Sequence, residues 1–413
     1  MSGAEADRFP LGVNYWPRAK AMYWWSDFDR AEVAEEFDVI ESLGMSVVRI
    51  FLLWDDWQPS ADAVSPERLR DLGVVLDLAA ERGLGLDVTF FTGHMSGPNW
   101  SPGWLLDPSA NGHPSPHVRQ VVSGGVVVAT SYRNMFHDPA ALDAGRLLLR
   151  TVVGEYREHP GVWMWNLGNE PDLFAQPRDS AAGRSWVREM TQLVKESDPR
   201  HPVTTGLHTA NLFVDNGLRV DQVFSESDVA VMHGYPMYVD WARDPLDPDF
   251  VPYLCALVTA LTGKPCLAEE WGGCTSPDTA GSTTWSWTAY GSPRTQFMAG
   301  EEAFADYVES VLPRLVDVGA SGAFMWCFAD YHPDLWDRPP CEDGGAKHER
   351  HFGLVRPDGS LKPHAEVIRR FAATAPTVGA PMKTVTLDVT PEEYYLDPAT
   401  HARRHYQTWK HPF

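Results

Sequence analysis

Trp163-Met164-Trp165-Asn166-Leu167-Gly168-Asn169-Glu170-Pro171 is a short apolar run that ends in a carboxylate and a proline. Such a run reads as a buried strand. Pro171 cannot continue a strand, so Glu170 stands on the rim just past its end. Further on, Lys264-Pro265-Cys266-Leu267-Ala268 leads in the same way into Glu269-Glu270-Trp271-Gly272. Two carboxylates that leave two strands at the same end of a sheet can face each other across one pocket. That pairing is the minimum equipment for general acid–base or nucleophilic chemistry on a glycosidic bond.

Outward from these runs, strand-like and helix-like segments alternate. Strands are expected at 11–15, 46–52, 84–91, 162–167, 202–207, 229–233, 265–269 and 322–328. Between them, Val33, Phe37, Ile40 and Leu43 recur at helical spacing, and Ser65-Pro66 reads as a cap and first position for a helix to Arg82. Further helices are expected near 140–158, 180–195, 252–262, 300–317 and 362–373. Eight strands separated by helices predict a single α/β (β/α)8 TIM barrel over 8–375, with long loops at the catalytic face. An open doubly wound sheet would call for an early G-x-G-x-x-G turn, and none is present. The 92–138 stretch, rich in Gly, Pro, Ser and His, reads as an excursion over the barrel mouth. The tail, 376–413, is short for a core of its own and is expected to pack on the barrel, with 384–390 as an added strand.

Composition narrows the function classes. A net charge of −22 argues against nucleic acid and anionic membranes as partners. Seventeen tryptophans are unusual, and Trp16, Trp54, Trp271 and Trp326 lie where aromatic faces can meet sugar rings. The 15 histidines show no H-x-H or H-E-x-x-H spacing, so no metal is expected, and no G-x-S-x-G elbow or other cofactor motif appears. The odd count of five cysteines and the Met1–Asp7 start, which has no leader pattern, read as a cytoplasmic protein with reduced thiols.

The residues named so far resemble the retaining glycosidases of glycoside hydrolase clan A, most closely the family-five cellulase, mannanase and β-mannosidase group. Asn169-Glu170-Pro171 looks like that clan's acid/base motif and Glu270-Trp271-Gly272 like its nucleophile motif. His233-Gly234-Tyr235, Arg49 and Trp326 fall on the sixth, second and eighth strands as the family has them, and Phe352-Gly353-Leu354-Val355-Arg356-Pro357-Asp358-Gly359 recurs before the last helix. The match spans roughly residues 11 to 373 of a barrel-sized chain. The doubled Glu269-Glu270 departs from the pattern. Alternation along a strand leaves one of them facing the site. The family order selects Glu270, and Glu269 is expected to point away, as a carboxylate that supports the site from behind or lies between helices, or as a salt-bridged rim residue.

The resemblance implies a double-displacement hydrolase with Glu270 as nucleophile and Glu170 as acid/base, their carboxyl groups about 5–5.5 Å apart. Arg49 and Tyr235 would hold Glu270 ionised, reduced solvation beside Trp165 or Trp326 would raise the pKa of Glu170, and Asn169 would reach the sugar 2-hydroxyl. His94 and His233 read equally as sugar contacts and as satisfied core histidines. The expected partner is a short β-linked oligosaccharide. Gly12 to Pro17 and Trp54-Asp55-Asp56-Trp57 resemble mannosidase-like members, and long loops after strands three, seven and eight suit a pocket for a terminal sugar. An endo-β-mannanase or glucanase acting on polymers, or a catalytically silent carbohydrate-binding barrel, are the alternatives.

Overall fold

The computed structural model describes residues 8–110, 120–277 and 281–410, so the Met1–Asp7 start, residues 111–119 within the 92–138 stretch and the end of the 376–413 tail lie outside the described residues. Eight parallel strands form one sheet: β1 Leu11–Asn14, β2 Val47–Leu53, β3 Gly85–Thr92, β4 Val162–Asn169, β5 Val203–Gly206, β6 Ala230–Gly234, β7 Cys266–Gly272 and β8 Gly322–Trp326. Their neighbour order is β5-β4-β3-β2-β1-β8-β7-β6. The two end strands meet through a parallel His208–His233 bridge, with the His233 N–H donating to the Leu207 carbonyl at 2.8 Å. The result is the expected (β/α)8 barrel. The strands are buried nearly throughout, because helices cover the outer face and side chains fill the inner one.

The covering helices are α1 Arg30–Ser42, α2 Pro66–Glu81, α3 Pro139–Tyr156, α4 Ser180–Ser197, α5 Val220–Ser225, α6 Phe250–Thr262, α7 Glu301–Asp317 and α8 Pro363–Ala373. Local chemistry sets their starts. The Ser65 hydroxyl accepts from the Arg68 N–H ahead of Pro66, and Asp29, Asp138 and Asp179 cap α1, α3 and α4 in the same way.

Long loops gather at the carboxyl ends of β3, β7 and β8. The β3 loop pairs Asn99–Trp100, Val121–Ser123 and Val126–Val128 into a small sheet. The β7 loop folds Thr283–Ala289 and Ser292–Met298 into an antiparallel hairpin. The β8 loop is irregular apart from short turns at Pro333–Leu335 and Lys347–His351.

The tail differs from expectation in one respect. Residues 384–390 form no strand, and the chain continues into a turn at Pro391–Tyr394 and a helix, α9, at Pro398–Lys410. Tyrosines anchor this segment to the loops after β5 and β6. The Tyr394 and Tyr395 hydroxyls donate to the Leu212 and Asn211 carbonyls, each at 2.8 Å, and Tyr406 donates to the Asp247 carboxylate. The Tyr406 ring lies 4.8 Å from Tyr253 and 5.1 Å from Trp241. Tyr406→Ala is therefore expected to cost about 3 kcal/mol of stability in a single urea transition. A two-step melt, with the main midpoint unmoved, would show that the tail is not part of the barrel's cooperative unit.

Candidate active site

Arg49 sits in the apolar β2 and is wholly buried. Such a cation needs partners on every side. Its Nε donates to Thr89 Oγ1 at 3.1 Å, Nη1 to Asn14 Oδ1 at 3.1 Å and to Glu270 Oε1 at 2.5 Å, and Nη2 to Asn169 Oδ1 at 3.0 Å, with Glu269 Oε2 at 3.3 Å. Burial works against its charge, but Glu269, Glu270 and Asp87 outweigh that and raise its pKa, so it is a fixed cation. Burial and the charge of Glu269 push the Asp87 carboxyl well above the usual carboxylate range, against the pull of Arg49.

Above this layer the carboxyl ends of the strands open into a cavity of about 490 Å³, which Glu170, Glu270, Asn169, His94, His233, Tyr235 and Trp326 all line. Glu170 follows β4 with a left-handed backbone (φ 47°, ψ 55°), and its N–H donates to the Gly206 carbonyl at 3.0 Å. That conformation costs a non-glycine residue on the order of 1–2 kcal/mol and turns the side chain into the mouth. Gly206 is itself constrained: a Cβ there would meet the Gly168 carbonyl at 2.8 Å and Arg49 Nη2 at 2.9 Å.

His233 lies between the carboxylates. Its Nδ1 is 2.8 Å from Glu170 Oε1 and 3.4 Å from Glu270 Oε1, and its Nε2 is 2.9 Å from Glu269 Oε2. One donor atom each from Glu170, His233 and Glu270 lie within 4.8 Å of one another. The Tyr235 hydroxyl donates to Glu270 Oε2 at 2.9 Å. Asn169 Nδ2 donates to the His94 carbonyl at 3.1 Å, which leaves its second N–H available. Burial lowers the basicity of His233, yet Glu270, Glu170 and Glu269 together lift its pKa to about 9. Burial raises Glu170, but the charge of His208 and the hydrogen bond from His233 prevail and hold it well below the usual carboxylate range. Burial raises Glu270, against His233 and Arg49 and with the charge of Glu170 adding to it. The expected order, a raised Glu170 beside an ionised Glu270, is thus reversed: the shifts favour the proton on His233, one hydrogen bond from Glu170.

Glu269 overturns the alternation argument. The pairing register of β7 shifts between Ala268 and Glu270 against β6, and between Ala268 and Trp271 against β8. A bulge of this kind turns consecutive residues to one side. Both glutamates therefore enter the barrel, Glu270 into the cavity and Glu269 beneath it. Glu269 is fully buried and accepts from Asn166 Nδ2 at 3.0 Å, so of its expected places it takes the one that supports the site from behind, not the rim or inter-helix one.

Of the tryptophans expected to face sugar, Trp326 alone lines the cavity. Trp16 stacks on Phe51 at 4.9 Å. Trp54 packs edge-on to Phe91 and Trp104 and donates to Gln58 Oε1 at 2.6 Å. Trp271 leaves β7 on the outer side, against Tyr307. All three are core residues. The cavity also takes in His208, Phe213, Tyr238, Trp241, Arg294, His348 and Glu349, none of which the sequence reading singled out. His208 directly follows β5 and pairs with Asp172 at 2.9 Å, so its position past a strand end was a usable signal. Arg294 and Glu349 lie in irregular or hairpin loops and carry none.

Two donor sets have metal-like spacing among the described residues: Glu170, His233 and Glu270, and Asp388, His401 and His405 on the tail. Each already faces a guanidinium. Arg49 reaches Glu270, and Arg404 donates to both oxygens of Asp388 at 2.6 and 2.7 Å.

Comparison with known proteins bears on the fold and the family. Mannan endo-1,4-beta-mannosidase 2 of Oryza sativa subsp. japonica is 28% identical over 218 residues, 48% of this chain, and the chain spans only 44% of that protein. Mannan endo-1,4-beta-mannosidase A of Hypocrea jecorina is 25% identical over 307 residues, covering 70% of this chain and 67% of that one. Among solved structures, a GH5_18 protein from Streptomyces cattleya in complex with GlcNAc shares the fold with a TM-score of 0.75 at 22% identity, over 95% of this chain and 88% of that one. An exo-beta-1,4-mannosidase from an Opitutaceae bacterium does so with a TM-score of 0.68 at 24% identity, over 89% of this chain and 60% of that one. The family described as glycosyl hydrolases family 2, TIM barrel domain, matches residues 113–371, more than half of the chain. By that match the chain belongs to this family, and with it to the clan A glycoside hydrolases that its motifs resemble.

Proposed function

We propose that the protein is a retaining β-glycosidase that acts from the non-reducing end of short β-linked oligosaccharides, with β-mannosides as the leading substrate. The observation that carries the reading is the approach of Glu170 and Glu270, with oxygens within 4.8 Å, across one cavity. That spacing suits direct attack by one carboxylate, whereas an inverting pair needs about 6.5–9.5 Å to admit a water. The names of the relatives and the complex of a Streptomyces cattleya neighbour with Manb1-4GlcNAc favour mannose in the glycone position.

In the first step, Glu270 attacks the anomeric carbon while Glu170 gives its proton to the departing glycosidic oxygen, leaving a glycosyl ester on Glu270. Arg49 and Tyr235 aim Glu270 for this attack. The proton for Glu170 comes across the 2.8 Å hydrogen bond from His233. In the second step, Glu170 takes a proton from water, the hydroxyl attacks the same carbon and the ester breaks. Loss of the nucleophile's charge in the ester weakens the hold on the His233 proton, so the group that recharges the acid is sensitive to the stage of the cycle.

The exo reading rests on the loops. The Tyr290 N–H donates to the Gly344 carbonyl at 2.7 Å and Trp287 Nε1 to Gly345 at 2.9 Å, which ties the β7 hairpin to the β8 loop. Ser96 Oγ meets the Tyr331 hydroxyl at 3.0 Å, which ties in the β3 loop. Loops stitched in this way suit a cleft that is walled at one end. The endo-acting alternative is favoured by the names of the curated relatives.

Four outcomes are expected. Glu270→Gln lowers kcat on every aryl glycoside by roughly 10⁴-fold or more. Glu170→Ala costs about 10²–10⁴-fold on poor leaving groups and far less on activated ones, with azide restoring turnover of the latter; equal losses without rescue would remove Glu170 from the acid/base role. Digestion of a β-mannan yields steady monosaccharide release, and rapid viscosity loss with mixed oligosaccharides would favour the endo reading instead. The fourth outcome concerns pH. Because the folded pKa of His233, about 9, lies above its ordinary value of 6.5, its contribution to stability is complete below 6.5 and is lost as pH rises through 9. The stability gap between the wild type and His233→Asn, read from urea unfolding, should shrink between pH 6.5 and 9.5; a constant gap would mean His233 is neutral when folded.

A further inference from the structure

Glu349 is a carboxylate that the proposed mechanism does not use. It lies in the Lys347–His351 turn of the β8 loop and lines the same cavity as Glu170 and Glu270. Its side chain is 13% exposed, and that opening is to the cavity. Among the described residues no arginine or lysine lies within ion-pairing distance of it. Its polar neighbours are few: the Trp326 indole, which hydrogen-bonds it, the Tyr238 hydroxyl at 3.4 Å and His348 Nε2 at 3.4 Å. His348 supplies no charge, because burial and then Arg294 drive its pKa well below the usual value, and its Nε2 accepts from Arg294 Nη2 at 3.2 Å. A carboxylate buried at a cavity wall with unspent acceptor capacity is poorly satisfied until a donor arrives.

The direction of the substrate follows from the catalytic pair. Glu170 must touch the glycosidic oxygen, so the leaving group lies on its side of the cavity, beside His208, Phe213 and the α9 residue Arg403. The sugar that is attacked lies away from it, towards Trp326 and the β7 and β8 loops. Glu349 and Arg294 form the wall there, and the hairpin carrying Arg294 is the one pinned to Gly344 and Gly345.

We infer that Glu349, with Arg294 beside it, recognises the non-reducing terminal sugar by accepting hydrogen bonds from its C3 and C4 hydroxyls, and so rejects chains that continue past that sugar. This rests on the glycosidase reading above. A carboxylate can take two donors from a vicinal diol at once, and a guanidinium can donate to the oxygens of the same diol. Burial, with the charge of Glu270 adding and Arg294 opposing, lifts Glu349 to about 7, as befits an acceptor that waits for a ligand and lacks a permanent counter-ion.

The test crosses protein and substrate changes. Wild type, Glu349→Ala and the shape-preserving Glu349→Gln are assayed on a panel of aryl β-mannoside, β-glucoside and β-galactoside, and on the 3-deoxy and 4-deoxy analogues of the glycoside the wild type turns over best. Loss of a contacted hydroxyl should lower wild-type kcat/KM by about 10- to 100-fold. Glu349→Ala should show a similar loss on the parent glycoside and little further loss on the matching deoxy analogue, with Glu349→Gln between. A loss on Glu349→Ala that is the same for parent and both analogues would overturn the assignment, since a structural defect does not distinguish them. Absence of wild-type turnover on every glycoside of the panel would overturn the glycosidase reading and this inference together.

Discussion

A single buried guanidinium organises the site. Arg49 lies inside the barrel with no access to water, and its N–H groups meet Asn14, Thr89, Asn169, Glu269 and Glu270, which come from β1, β3, β4 and β7. An ion pair this deep has little net value for stability, because desolvation offsets the attraction. Its value is positional. Removing the arginine would leave Glu269 and Glu270 with His233 as their shared counter-charge, so β7 is held in register against β2 by the need to keep the charges paired.

The bulge in β7 follows from the same requirement. A regular strand would send Glu269 outward beneath a helix, where a second unpaired carboxylate would be costly. The register shift brings it inward instead, to Arg49, Asn166 and His233. Glu269 then acts on the chemistry at one remove. By accepting from His233 Nε2 it turns Nδ1 toward Glu170 and helps to hold the imidazole protonated. The three glutamates share their protons with one histidine, and their titration belongs to the set as a whole.

What could be read in the chain follows this division between barrel and loops. All eight strands were legible, since parallel strands buried on both faces are plain apolar runs, and their ends moved by no more than three residues. Arg49, Glu170, Glu270, His233 and Tyr235 were legible for the same reason: each is a polar interruption at or near the end of such a run. The tryptophans misled because a residue beside a catalytic one on a strand points the opposite way, as Trp271 does, and because Trp16 and Trp54 find aromatic partners below the mouth. The 384–390 stretch alternates like a strand, but β5 and β6 face each other and leave no open edge for it to join. Glu349 and Arg294 were not legible at all, since no periodicity marks a residue on an irregular loop.

The cavity is built in two chemical layers, and the division suits a substrate that is cut at one end. Its base is polar and rigid, set by strand ends whose side chains are locked in the Arg49 and His233 network. Its outer rim on the Glu170 side is apolar, with Phe213, Val214 and Trp241 beside Arg403 of α9. A sugar in the base exchanges its hydration shell for fixed donors and acceptors, so its configuration is read hydroxyl by hydroxyl. A leaving group at the rim meets ring faces, which accept many shapes at similar cost. On the proposed reading, strict recognition falls on the sugar that is attacked and loose recognition on the group that departs. The α9 helix, attached to the barrel by its tyrosines, belongs to the tolerant side.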